Sequence, residues 1–294
     1  MVFIMGMLFG LGAMVAWGLT DYFNKNVVEE LGNIRLLFWQ QLISLPVFAA
    51  MIFFFALPAY NPLLLGISFF SGILMTFSLL FFFKALSVGK VSLILPICAS
   101  YGSLTALLSV VFLGEALSPL QKLGIGVITC GIILISTDLS ELKKARLKTN
   151  VAGIGYALAT FVLWAIVFTL YGWLYARMHW FYVHMASSIT ATILVSLILF
   201  IRRIPLVPSK TSSPPARTTP TKLFVTLSGV LSIVGMFSYA IGVSLSKSAL
   251  VAPISALFPA VTIVLAYFYL GERMAKNQWA GVVLSLAGVV LLSL

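Results

Sequence analysis

Residues 89–137 recur without a gap at 246–294, at an offset of 157 that sets Gly114-Glu115 on Gly271-Glu272. There are 15 identities in the 49 aligned positions, among them Lys90/Lys247, Leu93/Leu250, Pro96/Pro253, Ile97/Ile254, Thr105/Thr262, Gln121/Gln278, Gly124/Gly281 and Gly131/Gly288. A shared apolar bias aligns Leu with Val, but it does not bring Lys, Pro, Glu and Gln into register. The starts of the halves correspond as well, Gly6 and Trp17 matching Gly153 and Trp164. Whatever one half folds into, the other folds into again.

The chain of 294 residues is 61% hydrophobic and 9% charged, with a mean hydropathy of +1.12. Soluble domains carry roughly 25% charged residues because their surface faces water. A disordered chain and a soluble enzyme are therefore excluded, and a multi-spanning membrane protein remains. A helix crosses the hydrocarbon core in about 20 apolar residues. Such stretches fall at 3–26, 35–57, 63–86, 91–112, 118–137, 151–174, 180–201, 223–245, 249–270 and 276–294. They are continuously apolar, without the period-two alternation of a β-barrel. The first lacks a basic leader and a small-residue cleavage pattern, so it is expected to stay as a span. Cys98 and Cys130 both lie in apolar runs and read as small hydrophobes, not as a disulfide or a metal site.

Each half thus holds five spans. Five is odd, so the second half enters from the opposite face of the membrane. Inverted repeats of this kind belong to secondary transporters, whose similar halves exchange conformations around a midplane site. The expected fold is an all-α integral membrane protein, with ten transmembrane helices as two inverted five-helix repeats around a central cavity. Residues 1–138 form the first repeat, 139–150 a basic connecting loop, and 151–294 the second repeat, which carries a mobile Pro/Ser/Thr-rich loop at 203–221.

Each half ends with Leu-Gly-Glu (113–115 and 270–272), a Gln and a Gly-rich final span. The first span carries Trp17-Gly18 with Lys25 eight residues past the Trp, and the fourth span of each half carries a proline. On these features the chain resembles, over essentially its whole length, the EamA-type ten-span transporters of the drug/metabolite transporter superfamily. The resemblance implies a basket of ten helices around a central cavity, supported mainly by the fifth and tenth spans. It specifies the substrate poorly, since such proteins carry amino acids, nucleotide-linked or phosphorylated sugars, drugs and other metabolites.

Spacings of four and three place Trp17, Asp21, Asn24 and Lys25 on one face of the first helix. Asp21 is the acidic residue that falls clearly within a span, and intramembrane carboxylates are expensive and usually functional. It either binds a proton or a cationic group, or pairs with Lys25 and orients that lysine toward an anionic substrate. Typical family members carry an uncharged residue there, so no family role transfers to Asp21. Gln40, Gln41 and His184 have fewer outlets than Ser or Thr for satisfying themselves within a helix and are also cavity candidates. Tyr101, Trp164, Ser188 and Tyr239 complete the candidate set, with His184 a further proton carrier. Pro96 and Pro253 either shape the cavity by freeing a carbonyl or are tolerated near their helix starts. Glu115 and Glu272 lie at span ends and read first as structural markers, each an anion at a helix N-terminus or paired with a lysine.

No Walker loop, Cys/His cluster or nucleophile motif is present in the sequence, so an enzyme is not expected, nor a cofactor, a metal or a nucleic-acid partner. The expected partners are a small-molecule substrate and the lipid bilayer, and a ten-span monomer would suffice. Fifteen of the Lys and Arg residues fall on one side of this topology and 3 on the other. The positive-inside rule then puts both termini outside the cell membrane, whereas the family resemblance implies the reverse. The expected function is a secondary, alternating-access carrier of a small organic metabolite, with an amino acid or related compound exported. The alternative is a flippase for a lipid-linked sugar or lipid phosphate.

Overall fold

The computed structural model describes residues 2–54, 59–89, 91–137, 151–206, 221–270 and 274–294. Hydrocarbon offers no partner for backbone polar groups, so apolar spans close their hydrogen bonds internally as helices. The helices are α1 (Val2–Leu31), α2 (Asn33–Phe54), α3 (Pro62–Val88), α4 (Val91–Ala99), α5 (Tyr101–Leu113) and α6 (Pro119–Ser136) in the first half. In the second half they are α7 (Val151–Tyr175), α8 (Trp180–Ile201), α9 (Thr221–Leu245), α10 (Ser248–Ser255), α11 (Phe258–Leu270) and α12 (Lys276–Ser293). All ten expected spans fall on helices. The first runs on to Leu31, and the fourth and ninth are each broken in two. Among the described residues, nine spans are long and apolar enough to cross a membrane, and α12 differs in opening with the polar Lys276-Asn277-Gln278.

Local chemistry sets the boundaries. The Asn61 side chain accepts from the backbone N–H of Leu63 (2.9 Å) and Leu64 (3.2 Å), with Pro62 pre-set for the first turn of α3. Ser118 and Gln121 form a reciprocal capping box at the start of α6. Gly114, at φ 70°, ends α5 in a left-handed conformation that suits glycine. The breaks follow the prolines. Pro96 lies inside α4 and Pro253 inside α10, and the two breaks fall three to four residues further on, at Ser100 and at Ala256-Leu257.

The two halves meet through glycine. A Cβ on Gly124 would stand 3.0 Å from the Gly288 carbonyl oxygen, and one on Gly281 would stand 2.8 Å from that of Gly131. Positions rise along α6 as they fall along α12, so these equivalent helices run antiparallel, as an inverted repeat requires. Gly124 corresponds to Gly281 and Gly131 to Gly288, so each contact is the mirror of the other under the repeat. Elsewhere α1 packs along α9, Gly6 lying against Gly242 and Ser246, while α3 packs along α7, Gly89 against Gly153. These are again the same pair with the halves exchanged.

Outward faces carry large apolar side chains, Phe53 86% and Phe200 81% exposed, which is the surface lipid demands. The interior is aromatic, with Tyr101, Tyr171, Tyr239, Trp164 and Phe168 in one buried cluster. Cys98 is buried and Cys130 exposed, and both are free thiols.

Candidate functional site

A cavity of about 190 Å³ lies between the halves. Its wall is drawn from α1, α2, α3 and α5 of the first repeat and from α7, α8, α9 and α11 of the second. Among the described residues, α6 and α12 contribute none to it; they form the glycine seam instead. Helical periodicity explains which residues point inward. From α1 come Trp17, Thr20, Asp21 and Asn24, and from α8 come His184, Ser187, Ser188 and Ala191, both at spacings of three and four. The breaks position two more: Tyr101 opens α5 and Phe258 opens α11, so each proline-containing segment delivers one ring to the cavity.

One part of the wall is aromatic. Phe168 sits between Tyr101 (4.8 Å, stacked) and Tyr239 (4.8 Å, edge-on), with Trp17 at 5.7 Å and Tyr171 at 6.0 Å. Trp164, the repeat partner of Trp17, packs on Phe82 at 5.1 Å and on Tyr101 at 5.4 Å. Another part is polar. The Gln40 amide donates to Asn24 Oδ1 (2.8 Å) and to Ser228 Oγ (3.2 Å), which fixes its orientation. Asp21 lies one turn past Trp17, and among the described residues no hydrogen bond or ion pair reaches its carboxylate. Among the described residues lining the cavity it is also the one Asp, Glu, Lys or Arg.

Of the sequence candidates, Trp17, Asp21, Gln40, Gln41, Tyr101, Trp164, His184 and Ser188 line the cavity. Lys25 does not; it is exposed, and it is not the orienting partner of Asp21. The reason is angular: at 3.6 residues per turn it lies about 80° round the helix from Trp17, at the edge of the face. Tyr239 is fully buried behind the wall, stacked on Trp17 at 5.9 Å. Pro96 and Pro253 do not line the cavity. His184 joins Tyr175 through its Nε2, 2.6 Å from the hydroxyl. Ser100 and Thr192 bond back to the carbonyls of Pro96 and Ser188. Sequence reasoning missed Phe168, Tyr171 and Phe258. The first two follow Trp164 by four and seven residues, and the repeat offset carries Tyr101 onto Phe258, so both signals were present.

Glu115 has a structural partner. Its carboxylate accepts from the backbone N–H of Ser248 (3.0 Å) and Ala249 (2.8 Å), at the start of α10. Lys247 reaches back to donate to the Ala116 carbonyl. The end of the fourth span thus caps the start of the ninth, as an anion at a helix N-terminus. Glu272 lies outside the described residues. Burial raises the Glu115 pKa above the ordinary carboxylate value, and the two N–H donors and the Lys247 ammonium pull it partly back. Glu115→Ala is expected to cost about 1–2 kcal/mol, as for a lost cap, read as a lower melting temperature in detergent. Glu115→Gln keeps an acceptor without a charge to desolvate and should cost less. A raised folded-state pKa means the folded form binds the proton more tightly than the unfolded chain does. Wild type should therefore gain on Glu115→Gln as pH falls from neutral through the carboxylate range. Equal melting of the Ala variant and wild type would remove the cap.

The comparisons with known proteins agree with this architecture. The pattern of the EamA-like transporter family matches residues 4–137 and again 151–294. An uncharacterized protein of Methanocaldococcus jannaschii is 31% identical over 71 residues, 24% of this chain and 52% of that protein, so the match spans about half of that relative's length. A solved crystal structure superposes with a TM-score of 0.77 at 16% identity, covering 98% of each chain, which shows the fold alone. The match to both halves, on an all-helical two-repeat frame, shows that the chain belongs to the EamA-like transporter family and is a multi-pass membrane protein.

Proposed function

We propose that this protein is a secondary carrier that moves a small organic metabolite by alternating access, with an amino acid or a related compound as the solute class and export as the direction. The observation that carries this reading is the cavity itself. It lies between two inverted halves, takes its wall from both, and mixes one carboxylate and several amides and hydroxyls with aromatic rings. A site of that composition, with a few placed polar groups in an apolar wall, fits a small solute. Exchange of conformation between equivalent halves would turn it from one face to the other. The site lies in the cell membrane on this reading, and the charge bias places the cation-rich loops in the cytoplasm. No catalytic role is assigned to any residue. The flippase alternative asks for cations near a head group; Lys25 and Lys84 are exposed and neither lines the cavity.

Counterflow in proteoliposomes tests the reading. Vesicles preloaded with a mixture of unlabelled amino acids and their amines should accumulate a labelled member transiently and saturably. Accumulation no greater than in protein-free vesicles, for every solute tried, would overturn the carrier assignment.

A further inference from the structure

We propose that the cavity selects a monocationic organic amine with an aromatic or apolar body, holding the ammonium on Asp21 and the body against Trp17, Tyr101 and Phe168. The inference rests on the carrier reading and narrows its solute class. Three observations carry it.

The first is charge. Asp21 is the sole Asp, Glu, Lys or Arg of the lining among the described residues, and no hydrogen bond or ion pair reaches it there; the His184 imidazole, also in the lining, is engaged by the Tyr175 hydroxyl. A carboxylate in a site of low polarity draws a cation strongly, because the interaction is weakly screened there. The same carboxylate repels a second carboxylate or a phosphate. An amino acid would bring its own carboxylate into a wall where Gln41 and Ser188 offer only neutral donors. The amine that lacks this group avoids both the repulsion and the desolvation.

The second is the aromatic part of the wall. The rings of Trp17, Tyr101 and Phe168 supply an apolar aromatic surface, and ring faces add their own attraction for a cation.

The third is spacing. Asp21 follows Trp17 by four residues on a continuous helix, so the anionic and aromatic positions are offset by about 6 Å along the axis at 1.5 Å per residue. An ammonium joined to a ring by a short alkyl chain spans that offset. Neighbouring polar groups stay out of the way, since the Gln40 amide is already engaged by Asn24 and Ser228.

The test is calorimetric titration of the purified full-length protein with phenethylamine, phenylalanine, 3-phenylpropionate and 2-phenylethanol, which share a ring and differ in charge. Phenethylamine is expected to bind at least about tenfold more tightly than phenylalanine, and 3-phenylpropionate more weakly than the neutral alcohol. Asp21→Asn should weaken phenethylamine by about tenfold or more while changing the alcohol by less than about twofold, and Asp21→Glu should restore part of the loss. The alcohol reports that the variant's cavity is intact, and a melting curve reports its fold. Equal affinity for phenethylamine and phenylalanine would overturn the proposal. So would an Asp21→Asn variant that keeps full amine affinity, or no amine binding at all. Counterflow of some other solute would then leave the carrier reading standing, and its absence would remove both.

Discussion

Gly102→Leu is expected to abolish transport and to lower the melting temperature in detergent more than any exposed substitution. Gly102 is the second residue of α5, and there the chain touches α10 backbone to backbone. A Cβ would stand 2.7 Å from the Ala252 carbonyl oxygen, 2.8 Å from Pro253 Cα and 2.8 Å from Ala256 Cβ. None of these is the flexible end of a side chain, so one helix must move bodily. Overpacking of this kind costs about 3 kcal/mol at its upper end. The displacement would carry Tyr101 with it, together with the Tyr101 hydroxyl contact to Ser255 at 3.4 Å. Gly126 is the control, because no atom lies within 4 Å of its would-be Cβ and the residue is exposed. Gly126→Leu should melt and transport like wild type. If Gly102→Leu does the same, the two broken helices do not meet as described.

Phe168→Ala is expected to cost about 4 kcal/mol, the usual range for deleting a buried ring. Four aromatic neighbours lean on Phe168, and each ring pair adds about 1 kcal/mol beyond its buried area. Removing the ring also enlarges the cavity, so small solutes should bind more weakly even at temperatures where the variant stays folded. Phe168→Leu refills most of the volume and should recover stability more than binding, since leucine offers no ring face. Equilibrium melting and titration with one aromatic probe separate the two effects. A stable Ala variant with unchanged affinity would show that Phe168 neither supports nor shapes the site.

The spans and their pairing into halves were legible because lipid leaves a coarse and redundant signal. An apolar stretch of some 20 residues has one stable fold in a membrane, and the Lys, Pro, Glu and Gln shared by the halves fixed the repeat. The cavity was legible where a residue contrasts with an apolar helix, at its polar positions and at Trp17, Tyr101 and Trp164. Asp21, Gln40, Gln41 and His184 stand out against an apolar helix, so the sequence pointed to them. Phe168 does not, because an apolar residue on an apolar helix carries no contrast between the inward face and the lipid face. Lys25 misled for a related reason. A spacing of four keeps two residues adjacent, but two such steps from Trp17 walk off the face. The breaks at Ser100 and Ala256-Leu257 lie beyond Pro96 and Pro253, so the prolines were named from the sequence while Phe258, which opens the helix after the second break, was not.

The glycine seam between α6 and α12 is self-complementary: Gly124 and Gly131 are met by their own counterparts, in reversed order. A lone five-helix unit therefore already carries the surface needed to receive an upside-down twin. Joining two such units into one polypeptide makes their opposed insertion a property of a single translation product and guarantees equal numbers of each. It also frees the halves to diverge, so that one could acquire a carboxylate at Asp21 while its repeat position, Phe168, kept a ring.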